Sequence, residues 1–175
     1  MQFTSRGAGR SLLVALLVTG VLLCAALSVI TQNAAAAART PRHPHHLSLN
    51  AHRRLLAREV VHAALAQRGV PYRYGGGSPA AGFDCSGLVA WAFGRIGIQL
   101  PHSSYLLASA GRPVPLGALQ PGDVLVFDGH GHVGIYIGHH RFVHAPHSGT
   151  TVTVDSLGGS YGGGLELARR LLPTI

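Results

Sequence analysis

An α+β domain is the fold class this sequence predicts, and two patterns predict it. Apolar residues recur at helical spacing up to about Gly97, and β-branched or aromatic runs of strand period take over after Gly111. Helices first and a set of antiparallel strands afterwards describe α+β organisation. The chain has 175 residues, which suits one domain with a single core. It is 47% apolar, so wholesale disorder is excluded, and its length excludes a large multidomain enzyme. Charged residues make up only 11%, every cation is an arginine, and the formal net charge is +8 with 12 histidines in reserve.

The first element is a basic lead (Arg6, Arg10), an apolar run from Ser11 to Ile30 and an alanine stretch at Ala34–Ala38. This order predicts that residues 1–38 are a secretory signal peptide or, if uncleaved, an N-terminal membrane anchor. Either way the chain is expected to be exported, to the periplasm, cell wall or extracellular space. Only this stretch is long and apolar enough to span a bilayer, so a multi-span membrane protein is excluded. Residues 39–54, RTPRHPHHLSLNAHRR, carry four arginines, four histidines and no acid, and read as a basic linker. Such a segment attracts anionic polymers or headgroups, or is a solvated spacer. No basic stripe interleaved with aromatics follows, so nucleic acid is not an expected partner.

From 55 to 175 the pattern is that of the folded domain. Leu56, Val60, Ala63 and Ala64 lie on one face of a helix that Gly69 should stop. The Gly- and aromatic-rich PYRYGGGSPAAGF reads as an ordered loop. A second helix is expected from about Asp84, with Leu88, Trp91 and Ala92 as its buried stripe. A short third one should follow Pro101, capped by Ser103 or Ser104. Strands are expected at Asp123–Asp128, His132–Gly138, Arg141–His144 and Thr150–Asp155, while Glu166–Leu172 fits strand or helix.

Without the leader, Cys85 is the only cysteine, so no intrachain disulfide can form. A lone cysteine often packs as a small apolar residue. The surroundings of Cys85 offer a second reading: it stands in the first turn of the predicted second helix, where unpaired N–H groups favour thiolate and can hold an oxyanion. Gly82 and Gly87 are expected to leave room there for a substrate backbone. A thiolate needs a base, and the base needs an orienting partner. His132 opens one strand and His144 lies in the next, across a turn near Gly138–Arg141, so the two can come within hydrogen-bond reach. His130, His139, His140 and His147 read as solvated or core-satisfied imidazoles.

Five blocks now occur in series: PYRYGGGSPAAGFDCSGLV (Pro71–Val89), LPHSS (Leu100–Ser104), LQPGDVLVF (Leu119–Phe127), HVGIYIG (His132–Gly138) and FVHAP (Phe142–Pro146). Together they resemble the NlpC-type papain-like cysteine peptidases, which are bacterial cell-wall endopeptidases. The resemblance implies a papain-like α+β fold, with Cys85 as nucleophile, His132 as base and then acid, and His144 as the residue that orients His132. It further implies that Tyr72 joins the Cys85 backbone N–H at the oxyanion site, and that Asp84 and Ser86 help hold substrate. The implied reaction is hydrolysis of an amide in peptidoglycan stem peptides, between D-glutamate (γ-carboxyl) and the diamino acid, through a thioester. Two departures stand out: one extra glycine in the GGGSPAAG loop, and His102 where arginine or another residue is commoner.

The resemblance implies no cofactor and no metal, and a monomer is expected, touching a membrane only through its N-terminal segment. Three other readings remain open. The same thiol chemistry can act on a different amide or an ester, as in an amidase or acyltransferase. The fold can serve as a binding module without catalysis. The His130-x-His132 pair with the histidines that follow can belong to a metal-binding protein, although a hydrolytic zinc site normally adds a carboxylate base.

Overall fold

The computed structural model describes residues 44–159 and 161–172. The expected signal or anchor and the start of the expected linker lie outside the described residues. Among the described residues, three α-helices and eight strands follow one another: α1 (Pro44–Leu65), β1 (Gly77–Ser78), β2 (Gly82–Phe83), α2 (Cys85–Gly94), α3 (Ser104–Leu107), β3 (Arg112–Val114), β4 (Val124–Phe127), β5 (His132–Gly138), β6 (Arg141–His144), β7 (Thr153–Ser156) and β8 (Leu165–Arg170). The architecture is α+β, as the sequence predicts.

Residues 44–54 of the expected linker are helical, because α1 begins at Pro44 and not near Arg53. A proline is tolerated at the first helical position, where its missing N–H would have no intrahelical partner. Ala57, Val60 and Ala64 then anchor the helix in the core. Helix α2 differs from the single stripe expected of it. Leu88, Val89, Ala92 and Phe93 are all fully buried, while Trp91 is only partly so. A short helix that is apolar on most sides must be enclosed, and α2 packs on β5, on β6 and on the small β1–β2 ladder.

The main sheet has six strands in the order β3-β8-β4-β5-β6-β7, with every described pairing antiparallel. From β4 to β7 it is a meander, as expected. Strand β8 returns between β3 and β4, which settles the ambiguous Glu166–Leu172 segment as a strand. Strand β3 was not expected, since Pro113 cannot donate to a ladder; it is tolerated because β3 lies at the sheet edge. One sheet face (Val124, Val126, Val133, Ile135, Val143) packs against α1 and α2. The other carries Leu125, Phe127, Tyr136, Phe142 and Ala168, with Leu119, Leu157 and Tyr161 over them. Each fully buried Phe or Leu contributes on the order of 1.5–3 kcal/mol.

Candidate active site

Asp84 sets the entrance to helix α2. It is the N-cap, with extended backbone, and its Oδ1 accepts from the Gly87 N–H at 2.7 Å. The same oxygen accepts from the Ser86 hydroxyl at 3.1 Å and lies 2.8 Å from His102 Nε2, while Oδ2 accepts from the Gly75 N–H at 2.8 Å. One carboxylate therefore ties the helix start, the glycine-rich loop and the segment after Pro101 together. His102, whose role the sequence left open, is one of its partners. Ser86 is buried and turned toward Asp84.

The expectation that Gly82 and Gly87 leave room for substrate is corrected by this packing. A Cβ on Gly87 would run into the carbonyl of Gly76 and the ring of His102. At Gly82, where φ is +86°, it would meet Arg73 and the carbonyl of Pro71. These glycines let the loop lie directly on the helix start; the protein's own chain fills the space.

The Cys85 thiol is partly exposed at the first residue of α2. Burial pushes its pKa up, Asp84 acts in the same direction, and the peptide N–H groups of Val133, Ser86 and Cys85 itself act against them. The helix-terminus argument for a thiolate is thus real but outweighed in the free protein. The Val133 N–H belongs to the peptide joining His132 to Val133, so the sulfur rests at the start of β5, beside the residue expected as its base.

His132 and His144 are brought together. The β5–β6 register pairs Ile135 with Val143, which sets His144 opposite Gly134, a diagonal step from His132 on the same face. Gly134 matters here: a Cβ on it would press on Phe142 and on His144 Cβ. His132 Nε2 lies 2.8 Å from His144 Nδ1. Burial, with smaller contributions from His144 and His147, lowers the His132 pKa to about 4. Burial lowers that of His144 too, against the pull of Asp155. Both rings are therefore neutral at neutral pH. Sequence reasoning missed Asp155, whose Oδ2 lies 2.9 Å from His144 Nε2, and Tyr161, whose ring stacks on His132 and meets His144 edge-on.

Tyr72 is held by its N–H to the Thr150 carbonyl and by a parallel bridge to Phe83. Burial raises its pKa, and Cys85 and Asp84 add to this, which locates its hydroxyl in the field of the thiol. A cleft of about 480 Å³ opens over Cys85, lined among others by Tyr72, Tyr74, Asp84, Ser86, His102 and Tyr105. His130 is 3.6 Å from Glu166, and His139 and His140 form the β5–β6 turn. Among the described residues, no group of three or more His, Cys, Asp or Glu side chains is placed to hold a metal ion.

The thiol at the start of α2 thus lies by the start of β5, whose His132 is hydrogen-bonded to His144 on the adjacent strand. The profile of the NlpC/P60 family matches residues 69–164. The chain belongs to the NlpC/P60 family. Proteins similar to it include a probable endopeptidase of Mycobacterium tuberculosis, 56% identical over 58% of this chain and 27% of the relative. The peptidoglycan endopeptidase RipA of the same organism is 38% identical over 54% of this chain and 23% of its own length. The murein DD-endopeptidase MepH of Escherichia coli is 36% identical over 58% and 41%. Among solved structures, the peptidoglycan hydrolase RipB of M. tuberculosis superposes with a TM-score of 0.63 at 31% identity, covering 79% of this chain and 71% of that one. This chain spans about a quarter of the length of the first of these relatives, and the NlpC/P60 match falls on the part that carries Cys85, His132 and His144.

Proposed function

We propose that the protein is an exported cysteine endopeptidase that hydrolyses amide bonds in peptidoglycan stem peptides. The observation that carries this reading is the 2.8 Å contact between His132 Nε2 and His144 Nδ1. It leaves His132 Nδ1 as the ring nitrogen available to the thiol. The Cys85 proton passes to His132 Nδ1 as the sulfur attacks the carbonyl carbon, and the developing oxyanion is received by the α2 N–H groups and the Tyr72 hydroxyl. The C–N bond then breaks, and His132 returns its proton to the leaving amine. Water, deprotonated by the same nitrogen, cleaves the thioester and regenerates the thiol. Proton transfer of this kind contributes about 10²–10⁴-fold, and one oxyanion donor about 10²–10³-fold.

Asp84 and Ser86 are proposed to border the bound peptide. Since their polar atoms already bond one another and the loop, their contribution to substrate binding is shape as much as direct contact. The bond proposed is that between the D-glutamate γ-carboxyl and the diamino acid. A second reading, cleavage of a D,D cross-link, draws on the similarity to the E. coli murein DD-endopeptidase. Incubating the protein with purified sacculi and identifying the released fragments by mass spectrometry decides between them. Fragments ending in D-glutamate are expected. Fragments opened only at the cross-link establish the second reading, and release of nothing beyond a Cys85→Ala blank contradicts both.

A further inference from the structure

We propose that Asp155 is a positioning residue for this machinery, fixing the proton arrangement of both imidazoles through His144 Nε2; the proposal rests on the peptidase reading above. The β6–β7 register pairs Phe142 with Asp155 and His144 with Thr153, so Asp155 lies a diagonal step from His144 on the same sheet face. His132, His144 and Asp155 thus form a diagonal across three adjacent strands, with contacts of 2.8 and 2.9 Å between their polar atoms.

The direction of every proton along this diagonal follows from its outer end. An ionised carboxylate only accepts hydrogen bonds, so His144 Nε2 carries the hydrogen. A neutral imidazole has a single N–H, so His144 Nδ1 is left as an acceptor. His132 Nε2 must then be the donor to it, and His132 Nδ1 holds the lone pair that base chemistry requires. If the His144 proton moves to Nδ1, the contact to Asp155 loses its donor. His132 can then keep the inner bond only as the Nδ1–H tautomer, which cannot take a proton from sulfur.

The surroundings make the carboxylate hard to replace. His144 is fully buried. Phe142 lies 4.5 Å from its ring and Tyr161 lies 4.9 Å from it, centroid to centroid. The Asp155 side chain is 41% exposed, so water can substitute for it in part and a graded loss is expected, not abolition.

The test compares Asp155→Asn and Asp155→Ala with the unaltered protein, reading ¹⁵N NMR of the imidazoles alongside steady-state kinetics on muropeptides. In the unaltered protein, His144 and His132 should both be protonated at Nε2. Asp155→Ala should lower kcat about tenfold, with KM within about twofold, because the residue acts on proton transfer and not on substrate. Asp155→Asn should fall between the two, since its carbonyl still accepts from Nε2–H without the charge. Protonation of His144 at Nδ1 in the unaltered protein would overturn the proposal, whether or not Asp155→Ala folds. So would a folded Asp155→Ala with unchanged kcat, or a loss confined to KM. If the unaltered protein cleaves no wall peptide, the peptidase reading fails, while the imidazole tautomers still decide the role of Asp155.

Discussion

The sulfur of Cys85 stands under opposed influences: burial and Asp84 favour the thiol, while three peptide N–H groups favour the thiolate. Its partner is pushed the same way, with His132 lowered from an ordinary 6.5 to about 4, chiefly by burial. Both shifts favour uncharged side chains in the free protein, so in the proposed mechanism proton transfer to His132 accompanies attack. The depressed His132 pKa has a consequence for stability. As pH falls below 6.5 the unfolded chain takes up the proton first, so the contribution of neutral His132 is complete above pH 6.5 and is lost toward pH 4. At full shift this amounts to about 3 kcal/mol, an upper figure for a side chain that keeps some contact with solvent. Urea unfolding from pH 7 to pH 4 should show the parent destabilised more steeply than His132→Asn. Parallel curves would contradict the burial of a neutral imidazole. As candidates, Cys85, His132 and His144 were legible in the sequence, because a lone cysteine at a helix start and two strand histidines around a short turn leave local traces. Asp155 was not, because its contact with His144 depends on the β6–β7 register, which follows from tertiary pairing and not from spacing.

At the scale of elements, the β5–β6 hairpin aligns the two imidazoles, and its turn is unusual. His139 and His140 take φ of 52° and 54°, and Gly138 before them takes 96°. A two-residue turn with both central φ positive matches the twist of the strands but suits Asn-Gly far better than two side chains with Cβ atoms. Replacing His139–His140 by Asn-Gly should raise Tm by about 2–4 °C, corresponding to about 1 kcal/mol, with kcat unchanged. A lowered Tm would mean that the histidine side chains stabilise the turn in a way their backbone does not reveal. This turn was placed correctly from sequence, as was the start of α2, and of the two serines expected to cap α3 it is Ser103 that does so. Asp84 and Ser103 precede their helices as the capping pattern requires. The start of α1 was misplaced, because prolines and arginines mask a segment that continues the helix anchored by Ala57, Val60 and Ala64. Glycines 82 and 87 were seen, but their purpose was read as space for substrate when it is space for the loop.

Across the whole molecule, the two layers divide the chemistry. On the proposed mechanism, the helical layer delivers the thiol and the oxyanion donors, and the sheet delivers the base and its orienting residues. They meet at the start of β5, where the Val133 N–H faces Cys85. Neither layer holds a complete site, so activity should track the integrity of their packing. The measurement that tests this account most directly is hydrolysis of one purified muropeptide by the unaltered protein, Cys85→Ala and His132→Ala, each first shown to be folded by its melting curve. Cys85→Ala should show no turnover above background, and His132→Ala should fall by at least about 10²-fold. Full hydrolysis by folded Cys85→Ala would contradict the account.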